Sequence, residues 1–210
     1  MNLKKRNEEM RDFFNEKVDG YDSVHLPMMA NKASVTQALP EGIHRVLDLG
    51  AGTGLELQPL FERFPEVRVT AVDISSEMLA ALRRRVFAYR VEIVCGDFFS
   101  VEFGEDYDAV ISSAALHHFD EAEKARLYAK IYACLKPGGV FVNSDRCLDT
   151  RAEQEERFRE FRENAAAYRH YDTPLCAEAE REILQGAGFT DTDVCDLDGR
   201  YKLTVARKSE

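Results

Sequence analysis

Val46-Leu47-Asp48-Leu49-Gly50-Ala51-Gly52-Thr53-Gly54 decides how the rest of this 210-residue chain reads. The run from Arg45 to Leu49 is short, apolar and ends in glycines, which is the pattern of a buried strand. The glycines follow as Gly-x-Gly-x-Gly. Glycine is needed where a backbone turns sharply from strand to helix and comes close to a ligand. The spacing is not the Gly-x-Gly-x-x-Gly of a dinucleotide fingerprint, because position 55 is Leu. The Gly-Lys-Ser/Thr of a phosphate-binding loop is also absent. A glycine trio alone specifies little, so its neighbours must carry the reading.

Working outward, Leu55 to Phe64 is helical and stops before Pro65, and Val67 to Val72 is a second strand. Ser75 marks a helix start, with the helix running to about Ala88. Val91 to Cys95 and Tyr107 to Ser112 are further strands. Asp120 to Leu135 is a long helix, stopped by Lys136-Pro137-Gly138-Gly139, and Val140 to Ser144 is a fifth strand. Short strands alternating with helices of 10–15 residues indicate a parallel sheet covered on both faces. A charged amphipathic helix is expected from Thr150 to His170, carrying Phe158, Phe161, Ala165 and Tyr168 on one stripe. Another follows from Leu175 to Gln185. Phe189 to Leu197 and Tyr201 to Arg207 flank Asp198-Gly199, a hairpin signal, so the last strand runs antiparallel to the rest. The fold class is therefore α/β, a Rossmann-like seven-stranded sheet with six parallel strands and one antiparallel closing strand. Before it, Met10, Phe13, Phe14, Val18 and Tyr21 recur at helical spacing. Pro27 opens a second helix to about Leu39. One domain over 1–210 is expected, with 1–40 as a helical lid and 147–172 as a helical cap.

Three acids follow the first three strands: Asp48, Asp73 and Asp97. In an open parallel sheet the ligand crevice lies at the carboxyl ends of the strands, where strand order reverses. A carboxylate after the second strand suits both hydroxyls of a ribose. Three acids lining one crevice suit a cationic ligand better than a pyrophosphate. The plain alternative is that they cap helices and turns.

Composition bounds the rest. Lys+Arg is 28 and Asp+Glu 38, a net charge of −10, which disfavours a nucleic-acid partner. With 45% hydrophobic residues, 13 Phe and 8 Tyr, the chain can build a core. No stretch is apolar enough to span a membrane. MNLKKRNEEM lacks the apolar run of a secretion leader. Five widely spaced cysteines without a CxxC argue against a disulfide framework and against a structural zinc site, so no metal is expected. They read as reduced thiols of a cytoplasmic protein. Oligomeric state is not readable.

The ordered set of motifs resembles the class I S-adenosylmethionine-dependent methyltransferases of the small single-domain type 11/12/25. Leu47 to Gly54 resembles the family's first motif, and Val72-Asp73-Ile74-Ser75 with Met78-Leu79 the second. Gly96-Asp97-Phe98 resembles the third, and Tyr107 to Val110 with Leu116-His117-His118-Phe119 the fourth. Leu135 to Gly139 and Gly186 to Phe189 resemble later turns. The resemblance implies S-adenosyl-L-methionine as cofactor. It implies that Gly50 and Gly52 let the backbone approach its methionine part, that Asp73 holds the ribose, and that Asp48 belongs to the same cofactor site. Ile74 and Met78 would pack on the adenine, Asp97 would bond its amino group beside Phe98, and the Ala114 carbonyl would meet the ammonium. Phe13-Phe14 and Tyr21-Asp22 resemble a segment whose tyrosine, Tyr21, closes over the cofactor; the plain alternative is a core aromatic.

The acceptor reads as a small molecule. Methyl transfer from a sulfonium needs mainly positioning and exclusion of water. His117 and His118 are candidate bases, or alternatively cap and packing residues. Asp145 and Arg146 share that edge, and Tyr168, His170 and Tyr171 come from the cap. Arg83-Arg84-Arg85 reads as a solvated helix face far from the crevice. The rival readings are a nicotinamide-dependent oxidoreductase, opposed by the glycine spacing, and a non-catalytic cofactor-binding subunit, which would show a broken motif. Methylation of RNA or protein is a third reading; Ser112-Ser113-Ala114-Ala115 stands after the fourth strand in place of an Asn-Pro-Pro-Tyr-type tetrapeptide, which disfavours amino groups on planar bases.

Overall fold

The computed structural model describes residues 3–164 and 170–210. Three helices lead: α1 (Leu3–Lys17), α2 (Tyr21–His25) and α3 (Met29–Gln37). The expected helix opening at Pro27 is divided. Pro27 sits in a single 3-10 turn, Leu26–Met28, where its missing N–H costs nothing, and α3 begins after it. The sheet follows: β1 (Arg45–Leu49), α4 (Leu57–Arg63), β2 (Arg68–Asp73), α5 (Ser76–Leu82), β3 (Val91–Cys95), β4 (Tyr107–Ser113), α6 (Glu121–Cys134), β5 (Leu135–Arg146), α7 (Arg151–Glu163), α8 (Ala177–Gly186), β6 (Asp191–Asp196) and β7 (Tyr201–Arg207).

Strand order is β3-β2-β1-β4-β5-β7-β6. Only β7 runs against its neighbours, so the sheet has six parallel strands and one antiparallel strand. The order reverses between β1 and β4, which opens the crevice at their carboxyl ends. Alternation along each strand splits the core between two faces. Val46, Ala71, Ile111 and Val142 pack with Val35 of α3 and Leu57 and Leu60 of α4. Leu47, Leu49, Val110 and Phe141 pack with Leu127 and Ile131 of α6 and Leu184 of α8.

Helix starts follow their caps. Ser75 Oγ accepts the Met78 N–H at 3.1 Å. Capping boxes Asp120/Glu123 and Thr150/Glu153 open α6 and α7. Helix α5 ends at Leu82 rather than near Ala88; Arg83 and Arg84 are solvated as expected, but Arg85 is not. Arg85 donates to the Thr53 carbonyl at 3.0 Å and to Asp22 at 2.5 Å, tying the glycine turn to α2. β5 starts at Leu135, earlier than the Pro-Gly-Gly turn suggested, because Leu135 already pairs with Tyr107. The expected helix to His170 is described as far as Glu163; Ala165 and Tyr168 lie outside the described residues. Among the described residues, no helix is long and apolar enough to cross a membrane.

Candidate active site

The glycine turn is built around three left-handed residues, with φ of +79° at Gly50, +51° at Gly52 and +78° at Gly54. A Cβ on Gly50 would lie 2.3 Å from Ala115 Cβ, so side chains are excluded there by space as well as by conformation. The Gly50 and Ala51 N–H groups donate to the Val72 carbonyl at 2.8 and 3.3 Å, fixing the turn to the end of β2. Asp73 completes the tie. Its two oxygens accept the Gly52 and Ser75 N–H groups, each at 2.8 Å. Burial raises its pKa to about 6, against the lowering effect of those backbone donors.

A cavity opens over this turn. Gly50, Gly52, Asp73, Ile74, Met78, Phe98, Ala114, Tyr21 and His118 all line it, together with Phe14, Ala115 and Phe119. The cavity offers what a nucleoside-bearing ligand needs: close backbone at the glycines, a carboxylate with spare lone pairs, and apolar walls at Ile74, Met78 and Phe98.

Asp48 and Asp97 do not line that cavity, so the three acids do not share one crevice. Alternation on β1 turns Asp48 to the α3 face, where its side chain is wholly buried. Burial, then the neighbouring Glu56 charge, holds its pKa well above the carboxylate range. Glu56 itself accepts from Lys32 at 2.9 Å in a buried pair that no sequence signal announced. Asp97 closes a local turn, accepting from Phe99 N (3.0 Å), Ser100 N (3.2 Å) and Ser100 Oγ (2.5 Å). It faces an adjoining cleft that shares Ile74 and Phe98 with the main cavity.

Ala114 adopts φ +55°, rare for a residue with a Cβ, and its N–H is held by the Ser144 carbonyl at 2.9 Å. Such strain concentrates at functional turns. Here it marks the junction with a second cavity of about 980 Å³. Phe14, Tyr21, Ala114 and His118 line both. The second chamber adds Phe13, Lys17, His117, Arg146, His170, Arg200 and Tyr201. Arg200 and Tyr201 were not expected from the sequence.

His117 Nδ1 lies 2.6 Å from Asp145 Oδ1. Asp145 Oδ2 accepts the Leu116 and His117 backbone N–H groups at 2.7 and 2.9 Å. Against burial, the facing His117 imidazole, then Lys124 and the Arg146 N–H, depress the Asp145 pKa strongly, so it is a carboxylate. The Nδ1 proton therefore points to Asp145, and His117 Nε2 is the acceptor. His118 Nδ1 meets the Tyr171 carbonyl, which accepts only, so His118 also donates from Nδ1. Burial, with His117 alongside, pushes the His118 pKa well below its usual value and keeps it neutral. Among the described residues, no cluster of three or more His, Cys, Asp or Glu is placed to hold a metal.

The N-terminal helices are pinned over both chambers. Arg6 pairs with Glu123 at 2.5 Å, Ser75 Oγ donates to Asn15 Oδ1 at 2.7 Å, and Thr53 Oγ1 donates to Asp22 at 2.6 Å. The Tyr171 N–H faces Met10 Sδ at 3.3 Å.

Residues 46–139 match a family described as a methyltransferase domain. They form a class I S-adenosylmethionine-dependent methyltransferase domain. This methyltransferase domain is 36% identical over 99 residues to malonyl-[acyl-carrier protein] O-methyltransferase of Priestia megaterium, covering 47% of this chain and 35% of that protein. The chain thus spans about a third of the length of the first curated relatives it matches. An uncharacterised methyltransferase of Geobacillus kaustophilus is 29% identical over 189 residues, 89% of this chain and 81% of that one. Human N-acetylserotonin methyltransferase, solved with S-adenosylmethionine, shares the fold. Its TM-score is 0.72 at 22% identity, covering 94% of this chain and 56% of that one.

Proposed function

We propose that this methyltransferase moves a methyl group from S-adenosylmethionine to an oxygen of a small hydroxylated acceptor, with His117 as the base. One observation carries the reading: two chambers meet at Ala114, and the second is lined by an imidazole whose Nδ1 is held by a buried carboxylate. In this reading Gly50 and Gly52 let the backbone approach the methionine part, and Asp73 accepts the ribose hydroxyls. Ile74, Met78 and Phe98 cover the base, and the Ala114 carbonyl faces the ammonium. Asp97 reaches the base only from the adjoining cleft, and Asp48 acts from beneath, through Glu56 and Lys32. Tyr21 closes the junction. The bound cofactor supplies an electrophilic methyl carbon and a neutral leaving sulfur. The acceptor O–H gives its proton to His117 Nε2, and Asp145 stabilises the imidazolium that results. The Priestia megaterium relative is an O-methyltransferase, which supports oxygen as the attacked atom. We also propose one domain over 1–210, residues 1–40 acting as lid and 147–172 as cap, in a reducing cytoplasm that suits five unpaired cysteines.

The test supplies labelled S-adenosylmethionine and a panel of hydroxylated small molecules. Label entering one acceptor, with matching release of the demethylated product, is the expected result. A protein that binds the cofactor and labels no panel member, or labels an acceptor equally well as His117→Gln, overturns this reading.

A further inference from the structure

We infer that the acceptor carries a carboxylate, gripped in the second chamber by Arg146 and Arg200; this rests on the acceptor-chamber reading above. The chain as a whole is acidic, with 28 basic against 38 acidic residues. The chamber reverses that balance. Its charged walls are Lys17, Arg146 and Arg200 against Asp19 alone. A concave site lined by one sign of charge concentrates ligands of the other sign.

Arg146 pairs with Asp172, which is buried behind it. Arg157 reaches the same Asp172 oxygen at 3.0 Å. Asp172 is thus shared with Arg157, which also faces Glu160 at 3.7 Å, and Arg146 keeps part of its charge toward the chamber. Arg200 is exposed; the acid its charge reaches is Asp198, itself exposed and engaged by Asn31 and by the Arg200 and Tyr201 N–H groups. The position of Arg200 is set by the sheet: Tyr201 pairs in register with Arg146, so β7 delivers Arg200 to the strand end where Arg146 stands. Planar guanidiniums match a carboxylate, accepting geometry included, better than they match a neutral carbonyl. Asp172 offsets part of the Arg146 charge, so the excess facing the chamber is nearer one than two, which fits a carboxylate better than a phosphate dianion. Phe13, Phe14, Tyr21 and Tyr201 supply flat apolar walls in the same chamber, which suit an aryl body between the carboxylate and the hydroxyl.

The test uses the full chain saturated with the demethylated cofactor product. Three probes are titrated by calorimetry: 3-hydroxybenzoate, 3-hydroxybenzamide and 3-hydroxyphenyl phosphate. The benzoate is expected to bind at least about tenfold tighter than the amide, as a charge-assisted contact allows. Arg200→Gln should bring the two close to equality. Arg146→Gln should do the same, and because it also removes one of the two partners of buried Asp172, the exposed Arg200 variant is decisive where Arg146→Gln fails to fold. Equal binding of the amide, tighter binding of the phosphate, no binding of the benzoate, or selectivity that survives Arg200→Gln overturns the inference. Labelled methyl transfer is measured in parallel. Carboxylate-selective binding without transfer to any hydroxybenzoate counts against the functional reading and leaves the anion site standing, so the two failures are distinguishable.

Discussion

The chamber proposed for the donor and the chamber proposed for the acceptor meet at Ala114, and they are assembled in opposite ways. The donor chamber takes most of its wall from one stretch of chain, Gly50 to Phe119, with only Phe14 and Tyr21 added from the N-terminal helices. Its key contacts are backbone: the glycine turn, the Val72 carbonyl and the N–H groups that hold Asp73. The acceptor chamber gathers side chains from α1, the turn before α2, the turn after β4, the end of β5, His170 and the start of β7. A site made of backbone at strand ends tolerates little change, whereas a site made of side chains from distant segments can change its ligand without touching the fold. The sharpest way to test that division is to damage each chamber separately and ask which step suffers.

The largest effect is expected at the acceptor side. His117→Gln should lower kcat by about 10²–10⁴-fold, the usual contribution of a positioned base, while the cofactor dissociation constant stays within about twofold. Asp145→Asn should act in the same direction, because it releases the Nδ1 proton and the Leu116–His117 turn together. Steady-state kinetics with cofactor calorimetry on the same preparations checks both. A variant that loses cofactor binding instead would merge the chambers into one functional unit.

On the donor side, Asp73→Ala should weaken cofactor binding by about tenfold to 150-fold. It removes a charge-assisted bond of about 1.5–3 kcal/mol. Calorimetry on a variant with an unchanged melting profile is the check. An unaltered constant would remove the ribose role.

The same carboxylate gives a smaller, graded effect. Its pKa stands at about 6 because burial outweighs its backbone donors. It is ionised above that value and protonated below it, and hydroxyl groups need the ionised form as acceptor. Cofactor affinity should be flat above pH 7 and fall by about tenfold between pH 7 and pH 5. Asp73→Asn should flatten the profile, and a wild-type profile already flat would show that the carboxylate does not meet the ligand.

What was legible in the sequence follows the same division. The succession of strands, the closing hairpin and the cavity wall from Gly50 to Ala114 were readable, because glycine spacing, caps and strand ends act over a few residues. Asp48 was misplaced, since the motif gives its position but strand alternation decides its face. Asp97 follows the same motif logic, and its oxygens close the Phe99–Ser100 turn. Arg85 read as solvated because its partners, Asp22 and Thr53, are more than 30 residues away. Arg200 and Tyr201 were invisible for a similar reason. The Asp198-Gly199 turn announced a hairpin, but the pairing of Tyr201 with Arg146 that carries them to the chamber is a register of β7 on β5.

The smallest expected effect concerns how the two chambers open. Both share Phe14 and Tyr21, which belong to helices joined to the sheet by polar ties: Asn15 to Ser75, Asp22 to Thr53 and Arg85, Arg6 to Glu123. Of these, the Asp22–Arg85 pair is the most open to solvent, and such pairs are individually weak, so the α2 end of the lid opens more readily than the apolar core beneath it. Phe13 stacks on His170 with ring centroids 4.6 Å apart, which couples the lid to the segment after α7. Cofactor binding beneath Tyr21 should therefore quiet both segments together. Hydrogen exchange with and without the demethylated cofactor product is the measurement. Protection should rise by a few-fold over residues 10–25 and 170–173 as well as at the glycine turn, and Phe13→Ala should uncouple the 170–173 response from the other two. Protection confined to the glycine turn and the Asp73 region would mean that the donor chamber closes on its own and that the shared aromatics are fixed wall rather than lid.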